Sequence, residues 1–195
     1  RGFCPVCLVE LKQWVRGNPD FASVVDGKAY YFPDAATKAK FDATPATYVP
    51  ALGGDDVVTY ARTGRRAPAS LAYGVLHDGR PYFFASDANK RQFEASPAAF
   101  AMVDVALGGD CIVCRVDMQQ SVPGQSDTTV IQGGLRYQFV SPDQQQRFLA
   151  NPTPYVQAAS AAGSVSQPAG SGSKPSGGSA PRPNGSGSRP GSGSY

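Results

Sequence analysis

Gly27-Lys28-Ala29-Tyr30-Tyr31-Phe32-Pro33-Asp34, running on to Phe41 and Pro45, is the stretch whose reading decides the fold. The same frame returns as Gly79-Arg80-Pro81-Tyr82-Phe83-Phe84-Ala85-Ser86 with Phe93 and Pro97, and as Gly134-Leu135-Arg136-Tyr137-Gln138-Phe139-Val140-Ser141 with Phe148 and Pro152. Each copy places Tyr three residues after Gly, Phe five after it, a second Phe nine further on and Pro four beyond that. Tyr48, Phe100 and Tyr155 close the copies. Coincidence at so many fixed offsets marks an internal repeat, and self-similarity at this period means an array of small units.

Working outward, Ala-Leu-Gly-Gly-Asp stands before the second and third copies, at 51–55 and 106–110. Cys4-Pro5-Val6-Cys7 opens the first unit 23 residues before Gly27, and Cys111-Ile112-Val113-Cys114 opens the third 23 before Gly134. The middle unit has Asp56-Val57-Val58-Thr59 at that distance, so it keeps the frame and lacks the thiols. The units are expected over 1–55, 56–109 and 110–157, with a disordered tail over 158–195.

Within a unit, Asp26-Gly27 lies between two segments rich in aromatic and β-branched residues, the signature of a two-residue hairpin turn. Asp78-Gly79 and Gly133-Gly134 do the same later. Asp34, Ser86 and Ser141 follow as N-cap residues, and Ser141-Pro142-Asp143-Gln144 adds a helix-starting Pro and a capping-box Gln. A helix of about ten residues is predicted next, burying Phe41, Phe93 or Phe148 and stopping near Pro45, Pro97 or Pro152. The opening cysteines read as turns, because Leu8-Val9-Glu10-Leu11 alternates and no helix start is signalled. The fold class is therefore α+β, with three small repeats of turn, hairpin and capped helix. The repeated aromatics, and Trp14 under the first hairpin, read as core packing.

The chain carries a formal charge of +3. Lys174, Arg182 and Arg189 account for it, within a stretch from Ser160 that is almost wholly Gly, Ser, Pro and Ala. Such a composition cannot offset its ordering entropy, and it reads as a flexible tail. The repeat region is neutral, which argues against a nucleic-acid partner, since that would need clustered cations. No run of 18 apolar residues is present, so no transmembrane segment is expected. A chain that begins at Arg1 is consistent with a removed secretory signal, and an extracytoplasmic, periplasmic or secreted setting is expected.

The superposed units resemble the YHS domain, a small bacterial module related to the TRASH-type metal-binding folds. Cys4-Pro5-Val6-Cys7, Asp26 to Phe32, Phe41 to Tyr48, and Arg147 to Pro152 with Tyr155 carry the resemblance, which spans all three units. It implies a transition metal, zinc or copper, at Cys4, Cys7, Cys111 and Cys114. Metal-binding members of that family carry a second Cys pair one and five residues past the strand Phe. Here those positions hold Pro33 and Thr37, Ala85 and Asn89, and Val140 and Gln144.

Three roles stay open for the four cysteines. They could join across the array into one four-thiolate site, which requires units one and three to touch. Each pair could be a disulfide or free-thiol staple in a structural or protein-interaction array, oxidation being favoured outside the cytoplasm. Each pair could instead hold a two-coordinate soft ion such as Cu(I), or a metal completed by an unknown protein partner. A thiol–disulfide oxidoreductase ranks behind these, for want of a helix start at either pair. No other enzyme is expected: His77 is the single histidine, it reads as a surface residue, and no nucleophile–base or paired-carboxylate arrangement is legible. Loop residues Gly17, Pro19, Gly64, Pro68, Pro123 and Gly124 are where scaffolded binding would be sought.

Overall fold

A computed structural model describes residues 2–162. The first unit runs α1 (Pro5–Leu11), β1 (Asn18–Val25), β2 (Lys28–Phe32), α2 (Ala35–Ala43) and α3 (Pro45–Tyr48). The second has α4 (Val57–Thr63), β3 (Ser70–His77), β4 (Arg80–Phe84) and α5 (Asp87–Ala95), closed by a 3₁₀ turn at Pro97–Ala99. The third has α6 (Ile112–Asp117), β5 (Gln125–Gln132), β6 (Leu135–Phe139), α7 (Pro142–Ala150) and α8 (Pro152–Ala161). Three separate two-stranded antiparallel sheets, one per unit, make the chain α+β.

The hairpins form where the turn dipeptides stand. Asp26 and Gly27 have φ of 52° and 71°, Asp78 and Gly79 have 48° and 74°, and Gly133 and Gly134 have 60° and 71°. Two consecutive left-handed residues give the turn whose twist matches that of paired strands. Each first strand begins three residues earlier than the hydrophobic pattern suggested, and its register shifts once, as between Asn18 and Ala22. Gly17 and Gly124 cross the second strand of their units so closely that a Cβ would lie 2.4 Å from the Tyr31 backbone or 2.5 Å from that of Gln138.

Capping follows the sequence in two of three units. Asp34 Oδ1 accepts from Thr37 N at 2.7 Å and Ser86 Oγ from Asn89 N at 3.2 Å. Ser141 makes no such bond, because its hydroxyl turns to the Gln144 side chain. The helices then bury Phe41, Phe93 and Phe148 completely. The expected tail also starts later than composition suggested: α8 continues to Ala161 and buries Ala159 in the third core. From residue 163 the tail lies outside the described residues.

The three units close on one another. Asp26, in the first hairpin turn, accepts from Gly133 N and Gly134 N in the third at 2.7 and 2.5 Å. Arg66 of the second unit donates to Gly133 O and, at 2.7 Å, to Leu52 O, so all three units meet there. Ile131 of the third unit completes the first unit's core. Within unit two, Arg80 grips buried Asp104 with two hydrogen bonds, at 3.0 and 2.5 Å, and Arg136 of unit three adds a third at 3.0 Å that ties the two units together. Burial opposes ionisation of Asp104, but Arg80 and then Arg136 overcome it and hold the carboxyl below its ordinary range.

Replacing Asp104 by Asn leaves two guanidinium groups without their counter-charge, and a loss of about 3–5 kcal/mol is expected in urea unfolding. Because the folded-state pKa is depressed, the ion pair contributes fully above the unfolded value near 3.9 and is lost as pH falls through the folded value. The stability gap between wild type and Asp104→Asn should therefore narrow only below about pH 4. A gap that stays constant down to pH 2 would contradict this assignment.

Candidate functional site

The cysteines do not sit on turns. Cys4 and Cys111 are the N-cap residues of α1 and α6, with extended backbone at the cap. Their sulfurs accept from Cys7 N at 3.1 Å and Cys114 N at 3.4 Å. Sequence reading missed these helices because they are only seven and six residues long and Cys is not a typical cap. A signal was present in the middle copy, where Asp56, a strong cap residue, occupies the same register. Pro5 at the first helical position was a second.

The backbone around this position is the same in all three units. Cys4 N donates to Val15 O, Asp56 N to Ala67 O and Cys111 N to Val122 O, all at 2.8–2.9 Å. What differs is the side chain. Asp56 is fully buried, and its Oδ1 accepts from Val58 N at 2.8 Å and Thr59 N at 3.0 Å. Its Oδ2 accepts from Ala85 N and Asn89 Nδ2, both at 2.7 Å. Asn89 Nδ2 also reaches Thr59 Oγ1 at 3.1 Å. In the middle unit, the positions one and five past the strand Phe thus meet the opening Asp56 in space, joined to it by two of its four hydrogen bonds.

In the outer units the opening residues are thiols in place of the carboxylate. Cys4, Cys7, Cys111 and Cys114 are all free thiols, none more than 5 % exposed. Burial, reinforced by the neighbouring Cys4 thiol, pushes Cys7 up to about 12, and burial beside Cys111 pushes Cys114 up to about 11. Both thiols are therefore protonated at neutral pH, the opposite of an activated nucleophile, although each pair does begin a helix. Pro33 and Val140 offer no ligand atom on their side chains, and Ser141 engages the Gln144 side chain.

Although units one and three touch, their cysteines do not come together. Cys4 and Cys7 pack with Phe32, Phe41 and Val49, whereas Cys111 and Cys114 pack in a separate core with Phe139 and Phe148. Among the described residues no group of three or more His, Cys, Asp or Glu side chains gathers in metal-binding fashion. Tetrahedral zinc needs four ligands, so a lone pair of buried thiols does not fit it.

A second feature separates the outer units from the middle one. Glu10 on α1 accepts from Lys40 Nζ at 2.7 Å and from Tyr48 OH at 2.8 Å, and these bonds hold its carboxyl below the usual range. Asp117 on α6 accepts from Arg147 and from Tyr155 OH, both at 3.1 Å. The corresponding residues of the middle unit are Arg62, Gln92 and Phe100. Sequence reasoning overlooked these latches, although a fixed offset of three from Cys7 and Cys114 could have revealed both acids.

His77 is half-buried rather than free on the surface: its ring meets Phe93 edge-on at 5.6 Å, and Nε2 lies 3.3 Å from Asp78. Trp14 is corrected the other way. It is 47 % exposed, and it stands between Phe3 at 5.3 Å and Phe83 of the second unit at 6.2 Å. No protein-family model, curated protein or solved structure matches this chain. No helix among the described residues is long and apolar enough to cross a membrane.

Replacing Asp56 by Ala removes the acceptor of four hydrogen bonds, one buried and three part-buried, and should cost about 3 kcal/mol. Cys111→Ala removes one weak sulfur acceptor and should cost only about 1 kcal/mol. Urea midpoints of the two variants test this ordering, and equal losses would contradict it.

Proposed function

We propose that the protein is a non-catalytic structural and interaction array of three YHS-like units, in which the cysteines serve as free-thiol staples of the opening helices. The observation that carries this reading is the equivalence of Cys4, Asp56 and Cys111. One position caps a helix in all three units, and the unit that lacks thiols caps it with a carboxylate. A position that tolerates exchange between thiol and hydrogen-bonded carboxylate is under a folding constraint. Burial of all four thiols, with Cys7 and Cys114 pushed up, supports the same view, since it disfavours the free thiolate that disulfide exchange requires. The two-thiol arrangement gives no support to a zinc centre, and no chemical step is assigned to one.

Native protein should retain no stoichiometric zinc or copper after dialysis. All four thiols should resist iodoacetamide at pH 8 and react fully in urea. Retention of about one metal per Cys pair, or rapid alkylation of the native protein, would overturn the reading.

A further inference from the structure

Units one and two enclose a cleft of about 500 Å³, within the range of small-molecule sites. Its walls include Phe3, Trp14, Leu71 and Phe83, and its charged lining residues are Lys28 and Asp55. Phe3, Trp14 and Leu71 are each more than a third exposed, a cost in solvated apolar surface that the fold does not relieve.

The repeat itself supplies a comparison for the charge. Lys28 and Arg80 occupy one register position, the residue directly after each hairpin turn. Arg80 finds Asp104, two residues before the Ala106-Leu107-Gly108-Gly109 connector. Counting back from the equivalent connector, Ala51 to Gly54, places Val49 there. Lys28 therefore has no built-in counter-ion. Its Nζ donates to Gly53 O at 2.7 Å and makes no ion pair among the described residues. Asp55, the acid of the cleft, is engaged by Arg66 at 3.4 Å. The cleft thus combines an aromatic wall with one lining cation that makes no ion pair among the described residues.

We propose that this cleft binds a small apolar monocarboxylate, with its hydrocarbon part against Phe3, Trp14 and Leu71 and its carboxylate on Lys28. The ligand takes the place that Asp104 fills at the next junction. A carboxylate also uses the N–H donors that Gly53 leaves free, and a charge-assisted bond beside an apolar wall is stronger than the same bond in water. The inference is independent of the role given to the cysteines, and thiol alkylation and ligand titration can fail separately.

Trp14 is the sole tryptophan, so its emission reports directly on the cleft. The full chain is titrated with octanoate and with octan-1-ol. Octanoate should give a saturable change in Trp14 emission and bind about tenfold more tightly than the alcohol. Lys28→Met should reduce that preference to less than about twofold, and Lys28→Arg should keep it. Lys28 is exposed, so both variants are expected to fold, and circular dichroism checks this. No saturable response to octanoate, or a preference that survives Lys28→Met, overturns the proposal.

Discussion

Each unit depends on one helix Phe buried against two hairpin aromatics and a closing ring. Phe41 lies 4.9 Å from Phe32, 5.1 Å from Tyr30 and 6.3 Å from Tyr48. Phe93 repeats this with Phe84, Tyr82 and Phe100, and Phe148 with Phe139, Tyr137 and Tyr155. Spacings of 4.5–7 Å with tilted planes suit aromatic quadrupoles and fill volume with few rotatable bonds. A unit of some 50 residues buries too little surface to stand on many such clusters. The fixed offsets in the sequence are the trace of this one cluster, made three times.

What the cluster cannot supply, the junctions do. The first core borrows Ile131 from the third unit, and Leu135 packs against the cores of both the second and the third. The second junction is locked by a buried carboxylate between two guanidinium groups. The first junction carries its cation at the equivalent register with Val49 in place of the acid, and Trp14, which lines the cleft, bridges the units through Phe83. Equivalent places in a repeat therefore diverge, one toward an internal ion pair and the other toward a lysine that pairs with no acid among the described residues.

The hairpins, the capped helices and their buried Phe residues were legible because they rest on local rules: turn dipeptides, cap residues and alternation. The opening helices were not, since six or seven residues give too little periodicity and a sulfur cap is unusual. Closure of the array was illegible for a different reason. It rests on Asp26, Arg66 and Ile131, and on Arg136 reaching Asp104, contacts whose partners lie in other units and leave no local pattern. The same holds for Trp14, which a hydrophobicity reading assigns to the interior although it lies at a seam. The four cysteines are plain in the sequence, but their separation into two cores depends on how the units dock.

The contact between Asp26 and the Gly133–Gly134 turn has a consequence for how the molecule is made. Its partners are 107 and 108 positions apart, and the chain between them includes the whole second unit. Each hairpin and its helix can form from neighbouring residues within its own segment, but that contact exists only after the last unit has emerged and folded back. Loop-closure entropy grows slowly with length, so the long return is thermodynamically affordable while remaining late in time. The first core is therefore complete only once Ile131, from the last unit of the chain, has joined it.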